Sequence, residues 1–233
     1  MSRHHKMPIV IIACRVLQGM LEELAPAEAA DKAIFMDYGL HRQPGKMTHE
    51  LQDKIDDIQT PSLILLGYGL CGKGLAGIES GKHTLKIPRV DDCIAILLGS
   101  RETYRREFSA VPGTYYLSKG WLESGSHPLK EYEEYAQKYG AEKTDWIMDQ
   151  QYQHYERLAL VGQSQIDLET YRPQAQKVAR YCERWGMRYE ELLGSDEYVR
   201  RLVDAHKVSA NNDKDFVIIP PGGVIRLEQF IQK

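Results

Sequence analysis

The stretch Pro8-Ile-Val-Ile-Ile-Ala-Cys14 decides the fold class, because it is a short, continuous run of apolar and mostly β-branched residues. Such a run is typical of a strand that is buried on both faces of a parallel sheet. Two further strands are predicted at Ala33-Ile-Phe-Met-Asp37 and Ser62-Leu-Ile-Leu-Leu66, with helical sequence over about 17–30 and 48–58. Strands that alternate with helices in this way predict an α/β protein with a mainly parallel, doubly wound sheet.

The same alternation returns later in the chain. We expect a short helix over 90–98, a strand at Thr114-Tyr-Tyr-Leu117, helices over 128–154, and another strand at Arg157-Leu-Ala-Leu-Val161. A helix over 168–185 and a last strand at Asp215-Phe-Val-Ile-Ile219 follow. We therefore predict two Rossmann-like lobes, residues 1–110 and 111–233, with a cleft between them for a small molecule. Thr48 and Asp91 are the predicted caps of their helices.

Composition narrows the classes of partner. The 233 residues carry 30 basic and 33 acidic side chains that are interleaved along the chain, and the net charge is −3. A nucleic-acid-binding protein normally shows a basic stripe, so we expect no nucleic-acid partner. The apolar runs are shorter than the roughly 18 residues of a membrane span, and the first residues lack the apolar core of a signal peptide. These features predict a cytoplasmic protein without a membrane partner.

Three of the four cysteines fall at one predicted edge of the sheet. Cys14 follows the first strand, Cys71 follows the third, and Cys93 lies at the start of a helix, where backbone N–H groups lower the pKa of a thiol. His41 follows the second strand. Three thiolates and an imidazole would suit zinc, and three thiolates could hold an iron–sulfur cluster. The alternative is that Cys14 and Cys93 are small buried hydrophobes, as we expect for Cys182 inside a helix.

The stretch Gly67-Tyr-Gly-Leu-Cys-Gly-Lys-Gly74 matches two nucleotide-binding patterns imperfectly. The dinucleotide pattern G-x-G-x-x-G needs a helix after it, which further glycines disfavour, and in the pattern G-x-x-x-x-G-K Gly74 stands where a Ser or Thr should bind magnesium. We therefore expect neither ATP nor NAD. The exposed amides of this loop instead suit an anion or a cofactor edge, with four candidate cofactor-binding residues, Gly67, Gly69, Gly72 and Lys73.

Other side chains are candidates for chemistry beside the cysteines. Asp92 and His41 are candidate acid/base catalysts; Asp91 and Asp92 could act as a carboxylate pair, unless Asp91 is simply the helix cap. Tyr115 and Tyr116 would suit the wall of a flat cofactor or substrate pocket, unless they simply pack in the core.

Taken together, the motifs resemble the DUF1638 family over about residues 8–222. The resemblance rests on Cys14, Asp37-Tyr-Gly-Leu-His41, Leu66-Gly-Tyr-Gly-Leu-Cys-Gly72, Asp92-Cys-Ile-Ala-Ile-Leu-Leu-Gly-Ser100 and Pro112-Gly-Thr-Tyr-Tyr-Leu-Ser-Lys-Gly-Trp121. It implies no established reaction. It associates the chain with anaerobic bacteria and methanogenic archaea, in which such proteins are often encoded beside corrinoid proteins and uroporphyrinogen-decarboxylase-like methyltransferases.

Three functions remain open at this point. The leading expectation is a protein that binds zinc or an iron–sulfur cluster through Cys14, Cys71 and Cys93, with His41 as a fourth ligand, and serves corrinoid-linked methyl transfer. The second is a non-catalytic accessory module that grips a corrinoid protein, a methyltransferase or a small anion, while the cysteines only pack. The third is an enzyme with Cys71 or Cys93 as nucleophile and Asp92 or His41 as base.

Overall fold

A computed structural model describes residues 7–204 and 214–231 of the chain. The chain divides into two compact units, one made of Met1–Ile96 with Asp196–Lys233 and the other of Leu97–Ser195. The strands are β1 Ile9–Cys14, β2 Ile34–Met36, β3 Leu63–Gly67, β4 Thr84–Pro88, β5 Thr114–Ser118, β6 Arg157–Gly162, β7 Arg188–Leu193 and β8 Phe216–Ile219.

The helices of both units separate these strands, as the alternating pattern predicts. They are α1 Gln18–Leu24, α2 Ala27–Ala30, α3 Pro44–Asp56, α4 Cys93–Leu97, α5 Arg101–Ala110, α6 Lys119–Ser124, α7 Pro128–Tyr139, α8 Ala141–Tyr152, α9 Gln165–Cys182 and α10 Glu197–Val203. Among the helices of the described residues, none has both the length and the apolar character needed to cross a bilayer.

The first unit is built on a five-stranded sheet with the order β2-β1-β3-β4-β8. The first four strands are parallel, and β8 pairs antiparallel with β4. Because β2 and β3 lie on opposite sides of β1, the strand order reverses between β1 and β3. In open α/β sheets, ligands bind beyond the carboxyl ends of the strands at such a point.

The second unit has a separate, fully parallel sheet with the order β5-β6-β7. Its core lies between this sheet and helices that include α9, with Leu117, Leu158, Leu160 and Val178 almost fully buried. The structure thus confirms a mixed α/β fold with mostly parallel strands. The Rossmann-like character of two lobes, and a cleft between them, stay predictions.

Two strands differ from the expectation. β4 was not predicted, because its sequence Thr-Leu-Lys-Ile-Pro carries a lysine and a proline and follows a glycine-rich stretch. The predicted strand at 215–219 exists as β8, but it completes the first sheet rather than a sheet of residues 111–233. The last segment of the chain therefore returns to the first unit.

Two predicted helix caps also need correction. Thr48 lies inside α3, which already begins at Pro44, and its hydroxyl lies 2.9 Å from the carbonyl oxygen of Gly74. The start of α4 is capped by Asp92 rather than Asp91, because Asp92 Oδ1 accepts a hydrogen bond of 2.9 Å from the backbone N–H of Ile94. α3 begins before Thr48 because proline is favoured at the first position of a helix. The cap of α4 moves from Asp91 to Asp92 because the neighbouring aspartate accepts the hydrogen bond.

Candidate thiolate site

The first unit brings Cys14, Cys71 and Cys93 together, and we call these three residues the thiol cluster. Cys14 is the last residue of β1, Cys71 lies in the loop after β3, and Cys93 is the first residue of α4. All three side chains are more than 90% buried. They therefore lie at the carboxyl edge of the sheet, next to the point where the strand order reverses, as the sequence predicts.

Cys93 is the centre of the thiol cluster. Its Sγ atom lies 3.8 Å from Sγ of Cys71, within hydrogen-bond distance for sulfur. Hydrogen bonds with Cys14 and with Cys71 are also the two largest influences on its acidity. Cys71 and Cys93 are thus in sulfur contact, and Cys14 influences the acidity of Cys93.

The electrostatics of the thiol cluster distinguish Cys93 from Cys14 and Cys71. Hydrogen bonds from Cys14, then from Cys71, lower the pKa of Cys93 well below that of a free thiol, and the backbone N–H of Gly69 adds to this. The pKa values of Cys14 and Cys71 are raised, first by their hydrogen bonds to Cys93 and then by burial. A donor to the charged form stabilises it, so Cys93 is the cysteine of the three whose pKa is lowered.

The loop of residues 67–74, which we call the glycine loop, is fixed against the start of α4. The backbone N–H of Leu70 donates to Val90 O at 2.9 Å, and that of Cys71 donates to Asp91 O at 2.8 Å. A Cβ atom on Gly69 would lie 2.6 Å from backbone atoms of Asp92. Glycine is therefore required at position 69, and its backbone can reach the sulfur of Cys93 as a consequence.

The backbone at Cys71 is unusual. Cys71, Gly72 and Lys73 all have positive φ angles, of 46°, 63° and 78°. A positive φ costs a non-glycine residue on the order of 1–3 kcal/mol, and such strain is concentrated at functional sites. The backbone hydrogen bond from Cys71 to Asp91 O holds this conformation, in which the Cys71 side chain lies beside Cys93.

The predicted cofactor-binding residues of the glycine loop have packing roles that the structure explains. A Cβ atom on Gly67 would lie 2.6 Å from Cβ of Ala13, so this glycine allows β3 to approach β1 closely. Residues 71–77 form turns instead of the helix on which both nucleotide-binding patterns depend. Gly72 and Lys73 contribute to the left-handed turn after Cys71.

The structure places the other predicted site residues apart from the sulfur atoms or in other roles. His41 is exposed on the short helix Tyr38–Arg42 and acts on Cys93 only as a weak electrostatic influence. Asp92 caps α4, as described above. Tyr115 and Tyr116 belong to β5 of the second unit, and Tyr115 packs edge-on against Tyr152 and Tyr155.

Sequence reasoning missed Tyr68. This tyrosine is only 2% exposed, and no donor or acceptor among residues 7–204 and 214–231 pairs with its buried hydroxyl. Burial raises its pKa, followed by the electrostatic influence of Cys14, Cys93 and Cys71. The available signal was its position between two glycines directly after β3.

The thiol cluster does not yet form a complete metal cage. Within the described part of the chain, no three side chains of His, Cys, Asp or Glu are arranged so that they could hold a metal ion. The donor types nevertheless suit a soft metal, since cysteine is the ligand that such metals prefer and all three cysteines are buried.

Comparison with protein-family models matches residues 35–203 to DUF1638, which is described as a protein of unknown function. The matched range includes Cys71 and Cys93, and Cys14 precedes it. Comparison with curated proteins and with solved structures gives no match.

Proposed function

The chain belongs to the DUF1638 family, and we propose that it binds a single soft metal ion, Zn²⁺ in the first place, through Cys14, Cys71 and Cys93. The observation that carries this proposal is the distance of 3.8 Å between the Sγ atoms of Cys71 and Cys93. These atoms come from separate elements, a strained loop and the start of a helix, so their approach is a product of the fold.

The distance between the Sγ atoms of Cys71 and Cys93 matches the separation of two thiolate ligands on one zinc ion. Zinc–thiolate bonds of about 2.3 Å at tetrahedral angles place two sulfur ligands about 3.8 Å apart. A hydrogen bond between two thiols gives a similar separation, so the distance is compatible with the metal-free state as well. Cys71 and Cys93 can therefore bind one ion with little movement.

The same distance favours one ion over a four-iron cluster. In a four-iron cluster each thiolate binds a different iron, whereas in a two-iron cluster two thiolates share one iron. Cysteine ligands of a four-iron cluster are consequently farther apart than two thiolates on one ion. Cys71 and Cys93 would have to separate to admit a four-iron cluster, against the backbone hydrogen bonds that tie the glycine loop to α4.

Metal binding should release protons from the thiol cluster. The raised pKa values of Cys14 and Cys71 mean that both are protonated near neutral pH, and a metal has to displace these protons. We therefore expect the apparent metal affinity to rise with pH. A metal that neutralises the buried charge of Cys93 also removes the cost of keeping a thiolate away from water.

Metal analysis of anaerobically isolated protein tests the proposal. We expect close to one zinc or iron per chain, loss of the metal in Cys71→Ser and Cys93→Ser, and retention in Cys182→Ser. Cys182 is the matched control because it is equally buried but lies in α9 of the second unit. Folded, metal-free protein in which all four thiols react freely would contradict the proposal.

A second candidate function rests on the lowered pKa of Cys93. A thiolate near neutral pH is a nucleophile, so the same cysteine could attack an electrophile without a metal. This candidate predicts rapid alkylation of Cys93 by iodoacetamide at one equivalent per chain, with Cys182 unmodified. Protection of Cys93 by added Zn²⁺ would favour the metal-binding function instead.

The link to corrinoid-dependent methyl transfer stays a prediction that derives from the family resemblance. A non-catalytic accessory role also stays a prediction, and capture of a partner protein distinguishes it from the metal-dependent role. If the cysteines only pack, serine at positions 14, 71 and 93 changes stability but leaves capture of a corrinoid protein or methyltransferase unchanged. If they hold a metal needed for the partnership, capture is lost together with the metal.

A further inference from the structure

We propose that Cys71 and Cys93 form a reversible disulfide when the protein meets a small hydroperoxide, of which hydrogen peroxide is the simplest. The pair is then a site of covalent modification as well as a part of the thiol cluster. It is defined by the 3.8 Å between the two Sγ atoms and by the backbone contacts that hold their segments together. Disulfide formation requires no metal, so it does not depend on the proposed function.

The two sulfur atoms are close enough to bond after a small movement of their side chains. They lie 3.8 Å apart, and a disulfide bond is about 2.05 Å long, so the gap to close is about 1.8 Å. Rotation about the Cα–Cβ bond of each cysteine moves its Sγ atom without moving the backbone. When both side chains turn, each sulfur atom has to travel only about half of this gap.

The backbone keeps the segments of the two cysteines side by side. The N–H of Cys71 donates to the carbonyl oxygen of Asp91 at 2.8 Å, and Asp91 lies two residues before Cys93. A Cβ atom on Gly69 would lie 2.6 Å from backbone atoms of Asp92, so the two chain segments also touch there. A disulfide needs Cα atoms within roughly 7 Å of each other, and these backbone contacts favour such a separation.

A small oxidant can reach the pair. Cys71 and Cys93 each keep 7% of their surface exposed, whereas Cys182 is 0% exposed. Hydrogen peroxide is scarcely larger than a water molecule, so a small opening admits it. The burial of most of each side chain also keeps larger thiol-containing molecules away. The thiol nearest to an oxidised cysteine of the pair is therefore the other cysteine.

The reaction proceeds in two balanced steps. First, the sulfur of one cysteine attacks a peroxide oxygen and becomes a sulfenic acid, while the O–O bond breaks and the other oxygen leaves as water with the thiol proton. Second, the other cysteine attacks the sulfenic sulfur, so that the S–S bond forms, the S–O bond breaks and another water leaves. The two thiols lose two electrons in total, and these reduce one peroxide to water. A thiol reductant reverses the modification by exchange.

Cys14 is the competing partner within the thiol cluster. It is the last residue of β1, which lies between β2 and β3 in the first sheet. A strand that is paired on both sides yields less to a closing bond than a loop does, and Cys71 lies in a loop. Together with the direct contact of the two sulfur atoms, this difference assigns the disulfide to Cys71 and Cys93.

The disulfide and the proposed metal exclude each other, because both use the sulfur atoms of Cys71 and Cys93. Oxidation would therefore release a bound metal, and a bound metal would protect the pair from peroxide. The redox state of two cysteines would thus control whether the site can be occupied.

Peptide mapping without reductant tests the inference on the full chain, isolated anaerobically and freed of metal by a chelator. After treatment with a small excess of hydrogen peroxide, the protein is unfolded in an alkylating reagent and digested with trypsin. Lys73 and Arg89 lie between the two cysteines, so cleavage separates their peptides. We expect loss of two of the four free thiols, a Cys71 peptide joined to the Cys93 peptide, and return of all four thiols with dithiothreitol.

Variants and zinc separate the outcomes. Cys182→Ser and Cys14→Ser should give the same crosslink as the wild type, and Cys71→Ser should lose it. A crosslink between Cys14 and Cys93 instead, or peroxide-treated wild type in which Cys71 and Cys93 stay free or carry only sulfinic acids, would overturn the inference. Zn²⁺ added before peroxide should suppress the crosslink. A crosslink that forms equally fast with and without Zn²⁺ would support the disulfide and count against the proposed metal site.

Discussion

The pKa of the buried Cys93 thiol is lowered because its neighbours supply hydrogen-bond donors to its sulfur. Two thiols and the backbone N–H of Gly69 donate toward its sulfur, and together they outweigh the cost of burial. Cys182 is the instructive contrast, since burial without donors raises its pKa to about 12. The same residue type thus becomes reactive or inert according to the hydrogen bonds that its surroundings provide.

We predict that the metal-free protein contains one thiolate near neutral pH. The folded pKa of Cys93 is depressed, so its charge persists as the pH falls below the usual thiol range and is lost only when the pH passes its folded pKa. Thiolate absorbance near 240 nm should therefore titrate with one group below pH 9 in wild type and in Cys182→Ser, and this group should be missing in Cys93→Ser. Absorbance that appears only above pH 9 in the wild type would show that the donors do not act as described.

At the scale of elements, backbone contacts join the glycine loop to the start of α4 around the cysteines. The loop is tied to the 90–92 segment by two backbone hydrogen bonds, and Gly69 allows the two backbones to touch. The position of Cys71 relative to Cys93 is therefore set by backbone contacts rather than by the side chains themselves. A change in this backbone contact should disturb the site without touching a sulfur atom.

Gly69→Ala tests this dependence. The new methyl group would meet the backbone of Asp92, and overpacking of this kind typically costs about 1–3 kcal/mol. We expect lower stability in denaturant unfolding and weaker binding of Zn²⁺ in a chelator competition. Gly45→Ala in α3 is the control, since a Cβ there meets nothing within 4 Å. Equal zinc affinity in the two variants would mean that the loop contact does not position Cys71.

The sequence predicted the elements that carry the thiol cluster because their signals are local. The apolar runs of β1 and β3 are typical of strands buried on both faces. Because the carboxyl ends of parallel strands lie at the same edge of a sheet, Cys14 and Cys71 were predicted to share that edge. β4 escaped prediction because Lys86 breaks its apolar pattern, and this lysine is explained only by a distant helix. Tyr68 escaped because an unpaired hydroxyl is a property of the folded surroundings, and the position of Tyr68 between two glycines does not reveal it.

On the scale of the whole chain, the last segment completes the first unit. β8 pairs with β4, and α10 contributes carbonyl groups that hold a buried lysine of β4. Lys86 Nζ donates to Arg201 O at 2.6 Å and to Asp204 O at 2.9 Å, and it lies 4.7 Å from the ring centre of Phe216. A cation at the carbonyl end of a helix is well placed, so this lysine joins segments that are more than a hundred residues apart.

We predict that Lys86→Met destabilises the protein by about 3 kcal/mol. Methionine fills a similar volume, but it leaves buried carbonyl groups at the end of α10 without their charged donor. Lys82→Met, at an exposed position nearby, should change the free energy of unfolding by less than about 0.5 kcal/mol. Urea unfolding of both variants measures the difference. Equal stability would mean that Lys86 does not hold the returning segment in place.

The central claim, one metal ion held by three cysteines, is tested most directly by zinc X-ray absorption on the anaerobically isolated full-length protein. We predict three sulfur neighbours at about 2.3 Å from the zinc. A first shell of nitrogen and oxygen atoms alone would contradict the claim, because it would place the metal at surface histidines and carboxylates and leave Cys14, Cys71 and Cys93 without a ligand role.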